Sequence, residues 1–192
     1  LNRMGQYYEE QLDYDQALEC YRLMLKDYPW YGHVLEGKMG LIRCMERKED
    51  FAGAQAEKED FFKRYARGGE WQKRIKSPKF VAKADSLAIK CILSVAQYSF
   101  TEARKSGRTE DYAGTARYYA TLNRVYPEAP ESYEALWSQA VIYEQNLDQF
   151  DSARSLYLDV SRRKEEKHRL QAAISEGDHQ RRGRRAQPHA RV

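Results

Sequence analysis

The residues able to carry out acid–base or metal chemistry are scattered along this sequence. Histidines stand at positions 33, 168, 179 and 189, and this spacing suits no metal site. The pairs Glu9-Glu10 and Glu165-Glu166 are adjacent in the sequence, so on a helix their carboxylates point in different directions. We therefore expect these groups to be solvated side chains, with no catalytic, cofactor or metal site.

The sequence also lacks the motifs of common enzyme classes. It contains no glycine-rich phosphate loop, no GxSxG nucleophile motif and no HExxH metal motif. The three cysteines, at positions 20, 44 and 91, form no CxxC pair, and an odd number of cysteines cannot all pair within one chain. Each lies inside an apolar helical pattern, which is typical of small buried residues. We predict that the protein is not an enzyme.

Basic charge is concentrated at the C-terminal end of the chain. Residues 161–192 contain ten Lys or Arg against four Asp or Glu, whereas residues 1–160 contain 23 basic and 25 acidic side chains. Residues 163–192 show no sustained apolar periodicity, so we expect a basic, disordered tail. Its arginine pairs, at 181–182 and 184–185, could bind phosphates. Nucleic-acid binding by the body is not expected, but a nucleic-acid-associated regulator acting through the tail is an alternative function.

One pattern of large and small residues occurs four times and predicts the helices. An aromatic residue is followed after three positions by a small residue, and four positions later by a second aromatic residue, which Lys58 replaces in the second copy. Offsets of three and four residues place these side chains on one face of a helix. We expect them to pack in the core, together with residues of the preceding helices: Gly5, Tyr8, Tyr14, Ala17, Tyr21, Phe51, Ala54, Tyr112, Tyr119, Trp137, Phe150, Ala153 and Tyr157.

A second apolar helical stretch precedes each copy, so each copy belongs to a hairpin of two helices. The pattern predicts helices at about 1–11, 14–27, 32–48, 51–66, 79–105, 110–125, 131–146 and 150–165, with a short helical turn near 71–75. No strand is expected, and no apolar run is long enough to span a membrane. The sequence therefore predicts an all-α protein.

These hairpins resemble the tetratricopeptide repeat, a family built from 34-residue helical hairpins. The resemblance is carried in the first copy by Leu1, Met4, Gly5, Tyr8, Ala17, Tyr21 and Pro29, and in the fourth by Trp137, Ala153 and Tyr157. It covers residues 1–162 and implies a right-handed α-solenoid of antiparallel helix hairpins, with about four degenerate repeats. The copies are spaced by 37, 61 and 38 residues, so the middle spacing departs from the family period. Because Leu1 already lies inside a repeat, we expect the chain to be a fragment.

The resemblance implies a protein that binds other proteins. In the family, the first helix of each hairpin lines a concave groove that holds a protein or peptide partner. The corresponding positions here are Asn2, Gln6, Glu9, Ser138, Ile142 and Gln145. These residues do not include the Lys/Asn set that clamps a C-terminal carboxylate in some relatives. We predict a non-catalytic interaction scaffold; a non-catalytic part of a larger enzyme or signalling protein is a further alternative.

Two short segments point to a subclass of the family. Residues 13–17 (DYDQA) and 126–130 (YPEAP) are similar to segments of bacterial cell-envelope repeat proteins, such as the lipoprotein that helps to assemble outer-membrane barrels and the periplasmic coordinator of cell division. This similarity implies a role in envelope assembly, in the periplasm or at the outer membrane. A cytoplasmic location stays open.

Overall fold

Helices are the regular secondary structure of residues 1–163, the part of the 192-residue chain that the computed structural model describes. They are α1 Asn2–Glu10, α2 Tyr14–Asp27, α3 Val34–Arg47, α4 Phe51–Tyr65, α5 Glu70–Arg74, α6 Pro78–Ser106, α7 Thr109–Val125 and α8 Pro130–Gln145, followed by helical residues 150–163. The predicted all-α class is confirmed, and the ends of α1 to α8 lie within two residues of the predicted ones. The predicted tail, apart from Arg163, lies outside the described residues.

The turns that close the four helix hairpins share one backbone feature. In each turn, a residue two positions before the next helix adopts a left-handed conformation, with φ between 53° and 66°: Leu12, Glu49, Gly107 and Asp148. A left-handed residue after a helix reverses the chain and is a common way to end a helix. Only one of the four is glycine, so the other three accept the strain that a side chain brings to this conformation.

Side chains and prolines reinforce the helix ends. Asp13 and Asp50 cap α2 and α4, because each carboxylate accepts a hydrogen bond from a backbone N–H of the first turn, at 3.2 and 2.9 Å. Pro78 and Pro130 occupy the first positions of α6 and α8, where the missing N–H costs nothing.

The helices pack largely in chain order. Helix α1 contacts α2 and α3, α2 contacts α3, and α3 contacts α4; α4 then contacts α5 and α6, α6 contacts α7, and α7 contacts α8. The rings of Trp137 and Tyr157, 5.0 Å apart, join α8 to the helical residues 150–163. Most contacts therefore link neighbouring elements of the sequence.

Glycines allow the closest helix contacts of the N-terminal core. The fully buried ring of Tyr21 on α2 lies between Gly5 of α1 and Gly40 of α3. A Cβ atom at Gly5 would lie 2.6 Å from a carbon of this ring, and one at Gly40 would lie closer still. Gly5 and Tyr21, both predicted to lie in the core, thus pack against each other, together with Gly40, which the sequence pattern did not include.

The residues predicted to pack in the core divide into three groups. Those that are buried are Gly5, Ala17, Tyr21, Ala54, Tyr119 and Ala153, and those that are partly buried are Tyr8, Tyr14, Tyr112 and Tyr157. Phe51, Trp137 and Phe150 are at least half exposed, which corrects the prediction. Phe51 and Phe150 each begin a helix at a hairpin turn, beyond the end of the preceding helix, and Trp137 lies over the edge of Tyr157.

The long middle spacing arises from α5 and from the 29-residue helix α6. Trp71 of α5 is buried and packs edge-on against Tyr65, with ring centroids 5.5 Å apart. Asp85 of α6 accepts a hydrogen bond of 2.8 Å from the hydroxyl of Tyr126 at the end of α7. The inserted segment is therefore packed against α4 and α7.

Candidate functional site

One face of α1 carries the first three predicted groove residues. Asn2, Gln6 and Glu9 are separated by four and three residues, so their side chains lie on the same side of the helix. The structure places Asn2 in one surface groove, and Gln6 and Glu9 in a second groove that continues along the same face.

The first groove, here called the aromatic groove, has a volume of about 630 Å³. It is lined by Leu1, Asn2, Arg3, Met24, Tyr28, Tyr31 and His33. Tyr28 is 56% exposed and Tyr31 is 57% exposed, although both have large apolar rings. They stand in the segment between α2 and α3, where Pro29 prevents α2 from continuing. Two broad aromatic surfaces are thus open to solvent side by side.

Polar groups accompany these rings. The side-chain oxygen Oδ1 of Asn2 is buried and has no hydrogen-bond partner among the described residues. Arg3 contributes a guanidinium group to the same groove. Aromatic residues and arginine are enriched at protein-binding surfaces, and this groove exposes both.

The wall of the aromatic groove is held in place by α6. The ring of His33 contacts Tyr31 on one side and Phe80 on the other, with centroids 5.2 and 5.7 Å apart. Phe80 also lies directly against Gly32, where a Cβ atom would collide with its ring. The segment that carries the exposed tyrosines is therefore packed on the first turn of α6.

A cation–π contact holds the same segment from a second side. The guanidinium carbon of Arg74, in α5, lies 3.8 Å from the ring centroid of Trp30. Such contacts contribute about 0.5–1 kcal/mol at exposed sites. The inserted helix α5 and the beginning of α6 thus both position the segment that connects α2 to α3.

The second groove, here called the α1–α3 groove, has a volume of about 590 Å³ and is more polar. It is lined by Gln6, Glu9, Glu10, Leu12, Tyr14, Arg43 and Arg47. Arg43 donates two hydrogen bonds to the carboxylate of Glu9, at 2.8 and 3.0 Å. The hydrogen bond from Arg43 outweighs the effect of burial and holds the pKa of Glu9 below its ordinary value. Glu9 is thus a fixed anion rather than a proton-transfer group.

Two of the cysteines, Cys44 and Cys91, are buried. Burial raises the pKa of the Cys44 thiol to about 11 and that of Cys91 to about 12, so both stay protonated and unreactive near neutral pH. Within residues 1–163, no three His, Cys, Asp or Glu side chains are arranged to hold a metal ion.

The three predicted groove residues of α8 line neither groove. Ile142 is only 2% exposed and belongs to the core cluster that also contains Leu122 of α7. Its selection as a partner-contacting residue was wrong, because α8 turns this side chain towards α7. Ser138 is partly buried and Gln145 is exposed, and neither is brought together with the α1 residues. The six predicted positions do not form one continuous site.

The sequence analysis did not select the residues that supply the aromatic rings and the arginine side chains of the two grooves. The predicted site does not include Tyr28, Tyr31, Arg43 or Arg47. A usable signal was present: the segment 28–33 contains Tyr, Trp, Tyr and His in a place where no helix can bury them. Aromatic residues concentrated in a short connection favour a binding surface.

Comparisons with known proteins identify no family for this chain. A scan against protein-family models gave no match, and a search of curated proteins found no similar sequence. Over residues 1–163, no helix has both the length and the apolar character needed to cross a bilayer.

Proposed function

We propose that this chain is a non-catalytic interaction scaffold that holds an extended or helical segment of a partner protein along the exposed face of α1. The aromatic groove would take apolar side chains of the partner, and the α1–α3 groove would take polar ones. We further propose that the helix hairpins form a right-handed solenoid of the tetratricopeptide type, with α1 and α3 on its inner side.

The observation that carries this proposal is the pair of exposed tyrosines in the aromatic groove. Tyrosine, tryptophan and arginine dominate the binding energy of protein interfaces, since they offer large contact areas with polar ends. Tyr28, Tyr31 and Arg3 bring two of these residue types together over one groove.

Two features of the fold support the solenoid part of the proposal. Most helices contact their neighbours in chain order, as expected for stacked hairpins. The four hairpin turns use the same left-handed residue two positions before the next helix. We also propose a role in the bacterial envelope, which is supported by the similarity of the two short sequence segments alone.

Peptide selection followed by substitution tests the proposed site. A phage-displayed library of random peptides is selected against the full chain, and the affinity of the selected peptides is measured by fluorescence anisotropy. We expect Tyr28→Ala combined with Tyr31→Ala to weaken binding by at least about tenfold, since loss of an interface hot spot costs 2 kcal/mol or more.

Tyr7→Ala is the matched control, because Tyr7 is 58% exposed and lines neither groove. It should leave the affinity unchanged. The proposal is wrong if the selection yields no peptide, or if the selected peptides bind the double variant and the parent chain equally well.

A further inference from the structure

Helix α4 forms a ridge on the surface, with a groove on each side. Its exposed residues Ala56 and Lys63 are seven positions apart, so they lie along one outward line. The α2–α4 groove lies on one side and is lined by Arg22, Leu25, Lys26, Lys38, Leu41, Ala56, Glu57, Asp60, Arg64 and Tyr65. The α4–α7 groove lies on the other side and is lined by Glu59, Phe62, Lys63, Ala66, Arg67, Gly68, Gly69, Ile92, Tyr118, Thr121 and Arg124. We call this surface the α4 face.

The α4 face is basic, whereas the described part of the chain is neutral. The two grooves together contain seven Lys or Arg and three Asp or Glu. Residues 1–163 as a whole contain 25 basic and 25 acidic side chains. The excess of positive charge is therefore local to this face and is balanced by acidic side chains elsewhere, which makes the face an electrostatic target for anionic groups.

Some charged side chains of the α2–α4 groove already form ion pairs with one another. The buried ammonium group of Lys38 lies between the carboxylates of Glu57 and Asp60 and pairs with both. Two further cations of this groove, Arg22 and Lys26, make no ion pair with any described residue. These two side chains are the ones that an approaching anion would meet.

The α4–α7 groove combines an apolar floor with a basic rim. Phe62 and Ile92 form the floor and are less than one-tenth exposed. Lys63, Arg67 and Arg124 stand around them. Lys63 pairs with Glu59 and Arg67 pairs with Glu128, whereas Arg124 has no ion-pair partner among the described residues. An apolar side chain could contact the floor while acidic neighbours face the rim.

Tyr118 of α7 and Tyr126, which follows α7, hold the residues of the rim in place. The hydroxyl of Tyr118 donates to the carboxylate of Glu59, the one acidic residue of this groove. The hydroxyl of Tyr126 accepts a 2.8 Å hydrogen bond from the backbone N–H of Arg67, whose guanidinium carbon lies 4.8 Å from the same ring centroid. The groove is thus preorganised, which lowers the entropic cost of binding.

We infer that the α4 face binds an acidic segment of a protein partner that also carries a large apolar side chain. The charge excess attracts the acidic residues, and the floor of Phe62 and Ile92 receives the apolar one. Carboxylates of Glu57 and Asp60 lie close to the cations, and they would repel the closely spaced phosphates of a nucleic acid. A peptide can place its acidic side chains further apart and avoid them. This site is separate from the aromatic groove and does not depend on it.

Fluorescence anisotropy with the full chain and defined probes tests the inference. The probes are a labelled peptide that contains Glu and Leu, the same peptide with Gln for Glu, the same peptide with Asn for Leu, and a single-stranded DNA of equal length. We expect the Glu/Leu peptide to bind at least about tenfold more tightly than the other three probes, and its affinity to fall with added salt. Equal or tighter binding of the DNA, or equal binding of the Gln peptide, would overturn the inference.

Charge reversals on the protein locate the site. Lys63→Glu combined with Arg124→Glu should weaken binding of the Glu/Leu peptide by at least about tenfold. The control is Lys79→Glu combined with Lys90→Glu, because both lysines are exposed and line neither groove. The control changes the net charge equally and leaves the basic residues after 163 in place, so an equal loss of affinity in the control would overturn the inference. Lys63→Gln with Arg124→Gln provides a milder variant if the double reversal impairs folding, as judged by circular dichroism, and should weaken binding in the same direction.

Discussion

The hydroxyl group of Tyr21 on α2 donates a hydrogen bond of 3.0 Å to Oε2 of Glu9 on α1. The same carboxylate accepts two hydrogen bonds from Arg43 on α3. Three successive helices therefore meet at one carboxylate above the core. A similar bond of 2.8 Å joins Tyr157 to Glu144 at the other end of the described chain, so the ring of a core tyrosine packs between helices while its hydroxyl ties them together.

Removing the charge of Glu9 should reduce stability in a pH-dependent way. The pKa of Glu9 in the folded protein lies below its ordinary value, chiefly because Arg43 donates hydrogen bonds to the charged form. We expect Glu9→Gln to lower the free energy of unfolding by about 1–2 kcal/mol at pH 7, towards the low end for hydrogen bonds to a charged group because Arg43 is exposed to solvent.

The sign of the pH dependence follows from the lowered pKa. A carboxylate with a lowered pKa stabilises the fold above the pKa of the unfolded chain, near 4.3, and this contribution disappears as the pH falls through the folded pKa. Urea unfolding of the parent chain and of Glu9→Gln gives the difference between their free energies of unfolding. This difference should have its full value at pH 7 and should shrink below about pH 4. A difference that stays constant across this range would show that the charge is not responsible.

Adding one methyl group at either glycine beside Tyr21 should destabilise the fold. A Cβ atom at Gly5 or Gly40 would collide with the fully buried ring, which has no space to move. We expect Gly5→Ala and Gly40→Ala each to cost about 1–3 kcal/mol, as is typical of overpacking. The measurement is the urea midpoint of each variant.

Gly114→Ala is the control for these two substitutions. Gly114 lies within α7, and its added Cβ would meet only the end of the Arg117 side chain at 3.7 Å. This change should stabilise the protein by about 0.5–1 kcal/mol, since alanine favours a helix over glycine. Destabilisation by all three substitutions would contradict the explanation from contact with Tyr21.

At the left-handed turn positions, a substitution to glycine and a substitution of glycine should change stability in opposite directions. Leu12 is exposed and adopts φ of 60°, so Leu12→Gly removes backbone strain and little packing. We expect it to stabilise the protein by about 0.5–1 kcal/mol. Gly107 has φ of 66° and open space around its Cβ position, so Gly107→Ala should cost about 1 kcal/mol through the backbone alone. Calorimetric melting temperatures that move in the same direction for both variants would argue against this turn geometry.

Replacing the buried Lys38 should be costly unless its two carboxylate partners are replaced as well. Lys38→Met leaves Glu57 without its cation and Asp60 with Arg64 as its remaining ion-pair partner, and we expect a loss of about 2–3 kcal/mol, since both carboxylates stay partly hydrated. Adding Glu57→Gln and Asp60→Asn should recover about 1 kcal/mol or more. No recovery in chemical denaturation would show that the lysine acts through its packing rather than its charge.

The positions of the helices could be predicted from the sequence because local signals agree there. Aspartate caps such as Asp13 and prolines such as Pro78 and Pro130 mark the helix ends, and the spacing of Ala17 and Tyr21 marks the buried face. These signals act over a few residues and do not depend on distant parts of the chain.

The binding surfaces could not be predicted in the same way, because they depend on how each helix is rotated about its axis and on which distant residues lie beside it. Ile142 has the spacing of a groove residue, yet α8 is rotated so that this side chain packs in the core. Arg43 joins Glu9 across 34 residues of sequence, which no periodicity reveals. The α4–α7 groove requires Ile92 of α6 to lie between α4 and α7, a result of the inserted segment.

Helix α6 links the aromatic groove to the α4–α7 groove. Phe80, in its first turn, supports the wall of the aromatic groove, and Ile92 lies in the floor of the α4–α7 groove. Twelve residues separate them, which corresponds to about 18 Å along a helix. A partner segment that ran beside α6 between these two points would need about six extended residues. One rigid helix thus fixes the separation of these two points for any ligand that contacts both.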